Sequence, residues 1–224
     1  MASSTVENYV KTLYVIEQRR PGALVAMGEL ASSMQVAPGT ATAMVKTLSD
    51  SGLVEYERRG GCRLTQNGRS LALAIVRRHR LIEQFLVKTL GLDWSEVHEE
   101  AEQLEHVISD KVLDRIDQLL GYPDVDPHGD PIPTAEGQVS AVPMESLQDV
   151  APGEETVIAR VTDQKPAFLQ YLDAQGLVPG ARITMQRIDT PADSVTVLVA
   201  ENSITLGGTA VRKILVERRT NKVP

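Results

Sequence analysis

The sequence predicts a mainly α N-terminal part, a winged helix-turn-helix followed by a helical domain, and then a small all-β barrel. Three observations predict it. Apolar residues recur at helical spacing to about residue 120. A stretch rich in proline and glycine covers residues 121–144. Beyond it the apolar pattern alternates with a period of two.

The elements follow in chain order. Residues 4–20 place Val6, Val10, Leu13 and Ile16 on one helical face; Ser3 or Ser4 can cap the start and Pro21-Gly22 stops it. Met27–Met34 forms a second helix. A third opens at Pro38, runs to about Ser51 with Met44, Val45 and Leu48 inward, and stops at Gly52. The tight turn Gln35-Val36-Ala37 between them makes a helix-turn-helix. Short strands at 53–56 and 62–64 flank the tip Arg58-Arg59-Gly60-Gly61, whose glycines allow the positive φ of a hairpin turn. Residues 66–90 form a long helix with an apolar face through Leu71, Ala74, Ile75, Leu81, Ile82, Phe85 and Leu86. Residues 94–120 form another. That much apolar surface suits both mutual packing and a dimer interface. Residues 121–144, with five prolines and three glycines, read as a linker or extended arm. Strands are expected at 156–161, 181–185, 195–199, 203–206 and 214–216, with a brief helix at 167–175 ending at Gly176.

The net charge of −7 hides an asymmetry: residues 1–80 hold 11 Lys/Arg against 6 Asp/Glu, whereas residues 81–224 hold 12 against 24. Phosphate contact is therefore expected at one end of the chain only. No stretch approaches a membrane span, no secretory leader is visible, and the single cysteine, Cys62, fits a reducing compartment. These features predict a cytoplasmic protein.

The chemistry concentrates in His98-Glu99-Glu100-Ala101-Glu102-Gln103-Leu104-Glu105-His106. On a helix, His98, Glu102, Glu105 and His106 share an arc of about 100° beside the apolar flank of Val97, Ala101, Leu104 and Ile108. The preceding helix adds His79 and Glu83 one turn apart. A single His–Glu pair is ordinary surface chemistry. Six such groups on two successive helices point to a divalent first-row metal.

With these residues in view, the chain resembles the diphtheria-toxin-repressor family of iron- and manganese-dependent regulators. The resemblance runs through TVENYVKTLY, the helix-turn-helix with its GLV, HRLIEQFL, HEEAEQLEH, HGDPIP and YLDAQGLVPGARITM. It implies domains over 1–65 (winged helix), 66–144 (metal binding and dimerisation) and 145–224 (an SH3-like, FeoA-like barrel). It implies two metal sites per subunit. The primary one is at Asn8, Glu102, Glu105 and His106; the ancillary one is at His79, Glu83 and His98, with Gln164 or Asp163 as donor from the barrel. Iron-responsive members carry sulfur at the positions of Asn8 and Glu102. Oxygen at both positions favours Mn²⁺, with Fe²⁺ as the alternative. The manganese-responsive members have an acid where this chain has Asn8.

The resemblance implies a homodimer, one or two per operator, that reads palindromic double-stranded DNA near metal-homeostasis genes, with no membrane and no small organic substrate. The segment from Ala37 and Pro38 to Lys46 would enter the major groove, with Thr40, Thr42 and Lys46 facing DNA and Arg58 and Arg59 on phosphate. Two rivals are a metallohydrolase, which lacks a helix-borne HExxH, and a helix-turn-helix regulator answering an organic ligand.

Overall fold

A computed structural model describes residues 3–140 and 142–217. The order is α1 (Ser4–Arg19), α2 (Met27–Ser33), α3 (Pro38–Asp50), β1 (Val54–Glu57), β2 (Gly61–Leu64), α4 (Gln66–Leu90), α5 (Val97–Leu104) and α6 (Asp110–Leu119). It continues with β3 (Glu145–Ser146), a 3₁₀ turn (Leu147–Asp149), β4 (Glu155–Val161), α7 (Pro166–Asp173), β5 (Arg182–Asp189), β6 (Ser194–Val199), β7 (Asn202–Gly207), α8 (Gly208–Val211) and β8 (Ile214–Glu217). The chain divides into two compact units: residues to His79 with 103–109 and 133–138, and residues 80–102, 110–132 and 139 onward.

The first unit is a winged helix. Ser3 caps α1, its side chain accepting from Val6 N. Pro38 opens α3, where its missing N–H costs nothing. Gln35 takes a positive φ in the turn between α2 and α3. Tyr9, Val10, Leu13, Leu30, Val45, Leu48, Val54, Cys62 and Ile75 form one core. β1 and β2 pair from Val54↔Leu64 to Glu57↔Gly61. Gly61 has φ +123, and a Cβ there would overlap the Val25 carbonyl; Val25 in turn bridges Cys62. The wing is thus seated on the strand-like residue before α2.

The second unit is built on an antiparallel sheet of order β3-β8-β4-β5-β6-β7. The expected barrel is hydrogen-bonded as an open sheet, with β3 and β7 as its two edges. Its core gathers Leu147, Ile158, Val161, Leu169, Ile183, Val197, Leu206 and Ile214, and it includes Trp94 from the segment before α5. α3 and α4 fall where periodicity places them, and α4 matches residue for residue.

Two expectations fail. The helix expected over 94–120 is two helices, α5 and α6, separated by residues 105–109. Leu104 O ends α5 by accepting from both Val107 N and Ile108 N. β-Branched Val107 and Ile108 are poor helix formers, and Ser109-Asp110 is a helix-start signal. Glu105 and His106 therefore lie in the turn that follows α5. The expected linker over 121–144 contains a folded turn instead. Val125 bridges Pro131, and Asp126 Oδ1 accepts from His128 N (2.8 Å) and Asp130 N (3.0 Å). Asp126, His128 and Asp130 are buried.

The apolar face of α4 is largely used within the chain: Ile75, Leu81, Ile82 and Leu86 are buried, and so are Ala72 and Val76. The large apolar side chains left exposed include Val112 and Leu119 on α6. No described helix is long and apolar enough to cross a membrane.

Candidate metal centres and nucleic-acid interface

In the first unit, α1 presents Glu7, Asn8 and Lys11 on one face, three and four residues apart. The turn after α5 brings Glu105 and His106 to that face. Glu105 is fully buried; its Oε1 accepts from Lys11 Nζ at 2.6 Å and its Oε2 lies 2.6 Å from His79 Nδ1. Burial alone would raise the Glu105 carboxyl, but the hydrogen bond from His79 and the charge of Lys11 outweigh it and hold it below the usual value.

His106 Nδ1 lies 2.6 Å from Glu7 Oε2, which leaves Nε2 as the second ring nitrogen, 3.4 Å from Glu105 Oε1. That Nε2 and the Oδ1 of Asn8 are buried and make no hydrogen bond. A buried acceptor without a donor is costly. Both are atom types suited to a cation, and His106 Nε2 stands beside the buried Glu105 carboxylate. Glu7 was missed in the sequence; its place one residue before Asn8, in the first turn of α1, was the available signal.

In the second unit, Glu83 on α4 is buried, with His98 Nδ1 3.2 Å from its Oε1. His98 Nε2 is 3.8 Å from Glu102 Oε1, one turn along α5. On the other side of Glu83 lies His128, its Nδ1 3.8 Å from Glu83 Oε2 and 3.9 Å from Asp126 Oδ1. Glu83, Asp126 and His128 form a fully buried triad whose donor atoms lie within 4.8 Å of one another. His128 Nδ1 and Asp126 Oδ2 make no hydrogen bond. Burial, then the charges of Asp130 and Glu83, push the Asp126 carboxyl well above its usual value. A cation would relieve all three effects. His128 Nε2 donates to Trp94 O (2.8 Å), which fixes the tautomer and turns Nδ1 toward the carboxylates. Asp126 and His128 were hidden in the stretch read as a linker.

The barrel donors are engaged elsewhere. Gln164 Nε2 donates to Asp130 Oδ2 at 2.8 Å. Asp163 accepts from Lys213 Nζ at 2.6 Å; against the effect of burial, that contact holds its carboxyl below the usual value. Asp130 also pairs with Arg80 and Arg160.

On the helix-turn-helix, Ala37, Pro38, Thr40 and Lys46 are exposed, with Gly39, Ala43 and Thr47 beside them. Thr42 is half-buried, and its hydroxyl donates to Pro38 O (2.8 Å) in a solvent-exposed bond. Arg58 and Arg59 stand exposed at the wing tip.

Comparison with known proteins places each part of the chain in one family. Residues 1–62 match the N-terminal DNA-binding domain of iron-dependent repressors, 65–134 their metal-binding and dimerisation domain, and 145–218 the FeoA domain. The chain is 30% identical to the iron-dependent repressor IdeR of Mycobacterium tuberculosis over 227 residues, covering 96% of this chain and 97% of that protein. It is 35% identical over 129 residues to the diphtheria toxin repressor of Corynebacterium diphtheriae, covering 58% of this chain and 56% of that one. A solved manganese-dependent transcriptional repressor in complex with manganese superposes with TM-score 0.85 at 38% identity, over 95% of this chain and 99% of the other. The family acts in transcription and is not enzymatic. The chain belongs to the diphtheria-toxin-repressor family of metal-dependent transcriptional repressors.

Proposed function

We propose that this repressor answers Mn²⁺ in the cytoplasm, and that the metal-loaded homodimer binds palindromic operators of metal-homeostasis genes. The carrying observation is the set of buried donors lacking hydrogen bonds, Asn8 Oδ1, His106 Nε2, His128 Nδ1 and Asp126 Oδ2, beside the buried carboxylates Glu105 and Glu83. All are oxygen or imidazole nitrogen, a set suited to Mn²⁺. Fe²⁺ is the second reading, favoured by the iron-dependent relatives.

The primary ligands are Asn8, Glu102, Glu105 and His106. Glu7 orients the imidazole of His106 by taking its Nδ1–H. The ancillary site is centred on Glu83 with His79 and His98, one helical turn and one hydrogen bond away, and it draws on His128 and Asp126. Gln164 and Asp163 join it only by leaving Asp130 and Lys213. The division at 1–65, 66–144 and 145–224 then separates reading, sensing and support. α6, with Val112 and Leu119 exposed, supplies dimer surface.

A bound divalent ion supplies positive charge that neutralises Glu105 and saturates acceptors the protein leaves bare. The chain's own residues carry the consequence to DNA. α1 bears Asn8 near its start and Glu17 near its end, about 14 Å apart along the axis. Glu17 accepts from Leu64 N at the base of the wing (2.7 Å) and from Arg69 (2.6 Å). Fixing one end of α1 fixes the wing and the reading head, which raises operator affinity by a coupling of about 1–3 kcal/mol. Thr40, Thr42 and Lys46 then face the groove while Arg58 and Arg59 hold phosphate.

Operator binding titrated with Mn²⁺ and with Fe²⁺ tests this. Trp94 is the only tryptophan, and its ring centre is 5.7 Å from that of His128. Mn²⁺ is expected to quench its fluorescence in the wild type and not in His128→Ala. Operator binding indifferent to both metals would favour a regulator of an organic ligand.

A further inference from the structure

Glu105 is neutralised by the chain itself. Its buried carboxylate holds the Lys11 ammonium at 2.6 Å, and the Lys11 side chain is only 12% exposed. Lysine normally keeps its head in water and freezes its long stem only at a cost in rotamer entropy. Here it gives up both to reach the one carboxylate that the proposed primary site most depends on. Lys11 also sits three residues after Asn8 and four after Glu7, so the helix face that offers ligands offers a cation too.

The ammonium meets only part of the demand. It pairs with Glu105 but leaves Asn8 Oδ1 and His106 Nε2 without hydrogen bonds. A divalent ion answers all three groups at once and carries twice the charge. Lysine is thus good enough to keep the metal-free site folded and not good enough to keep metal out.

We propose that Lys11 is a tethered cation that competes with divalent metal for Glu105 and thereby sets the metal concentration at which the repressor switches. This rests on Glu105 being a metal ligand, as read above. An ion that binds the primary site must displace the ammonium into water. Removing it therefore weakens the metal-free protein and strengthens metal binding, two changes of opposite sign.

The test uses the full-length protein without DNA. Free Mn²⁺ is followed by electron paramagnetic resonance, and thermal unfolding is followed in chelator. Lys11→Met is expected to tighten Mn²⁺ by about tenfold or more, which is about 1.4 kcal/mol per decade. Its melting temperature in chelator should fall, and saturating Mn²⁺ should close that gap. Lys11→Arg keeps the charge and should stay near the wild type. Lys11→Gln serves if the methionine variant does not fold. A folded neutral variant that bound Mn²⁺ no more tightly than the wild type would overturn the proposal. Glu105→Gln separates the two claims. If it loses the primary-site Mn²⁺ equivalent while Lys11→Met binds like the wild type, only the tethered cation fails; if it keeps both equivalents at wild-type affinity, the site reading fails and the proposal with it.

Discussion

Replacing Glu17 separates a backbone anchor from a charge. Its buried carboxylate accepts from Leu64 N at 2.7 Å and from Arg69 Nη2 at 2.6 Å, and so joins α1 to the wing. In Glu17→Ala the Leu64 N–H is left buried without an acceptor, which costs about 1–3 kcal/mol. Arg69 is 38% exposed, so its ion pair is screened and adds at most about 1 kcal/mol. The sum, about 1–4 kcal/mol, corresponds to a melting temperature roughly 5–30 °C lower for a unit of this size. Glu17→Gln keeps an acceptor for Leu64 N–H and removes only the charge, so about 1 kcal/mol or less is expected. Urea unfolding followed by circular dichroism gives both numbers. Should glutamine cost as much as alanine, the backbone anchor is not what holds the wing.

Gly129→Ala should destabilise the second unit by more than about 3 kcal/mol, because φ is +86 and the new Cβ would overlap the Ala159 carbonyl; a change within about 0.5 kcal/mol by urea unfolding would contradict the described turn. The Cys62 thiol is pushed up to about 11 by burial and then by the charge of Glu17. It therefore stays protonated through neutral pH, and iodoacetamide should label it only at the rate of unfolding, with little increase between pH 7 and 9. Fast labelling of the folded protein at pH 7 would disprove that. Arg58→Ala and Arg59→Ala should weaken binding alike on operator and unrelated DNA, each lowering the salt slope by about one; a loss confined to the operator would assign the wing a base-reading role instead.

The parts legible in the sequence are those governed by local rules. Pro38 at the first turn of α3, Ser3 before α1 and Gly61 at the wing act within a few residues, and α4 has uninterrupted periodicity from Gln66 to Leu90. The helical arc that grouped His98, Glu102, Glu105 and His106 ran on past Leu104, because the His/Glu spacing continues where α5 ends. Within the first unit the turn after α5 still sets Glu105 and His106 against Lys11 and Glu7 of α1. Asp126 and His128 were invisible for another reason. Prolines and glycines mark both linkers and tight turns, and only the Asp126 side chain, folding back on His128 N and Asp130 N, decides between them. Glu7 was hidden by its neighbour, since the residue filling the expected ligand position drew attention from the one that aims the imidazole.

Trp94 lies in the same core as Leu147, Ile158 and Leu172, and Val87 of α4 packs against that core too. The C-terminal sheet is therefore no detachable appendage. Cutting the chain after residue 138 would strip an indole and a helix flank of their cover, and would release the carbonyl of His128 from the Val161 N–H it receives. A shortened version would need new apolar-to-polar replacements at Val87 and Trp94 to stay dispersed in water. In this chain, loss of the C-terminal sheet by gene truncation carries a solubility penalty that a protein with independently packed helices would escape.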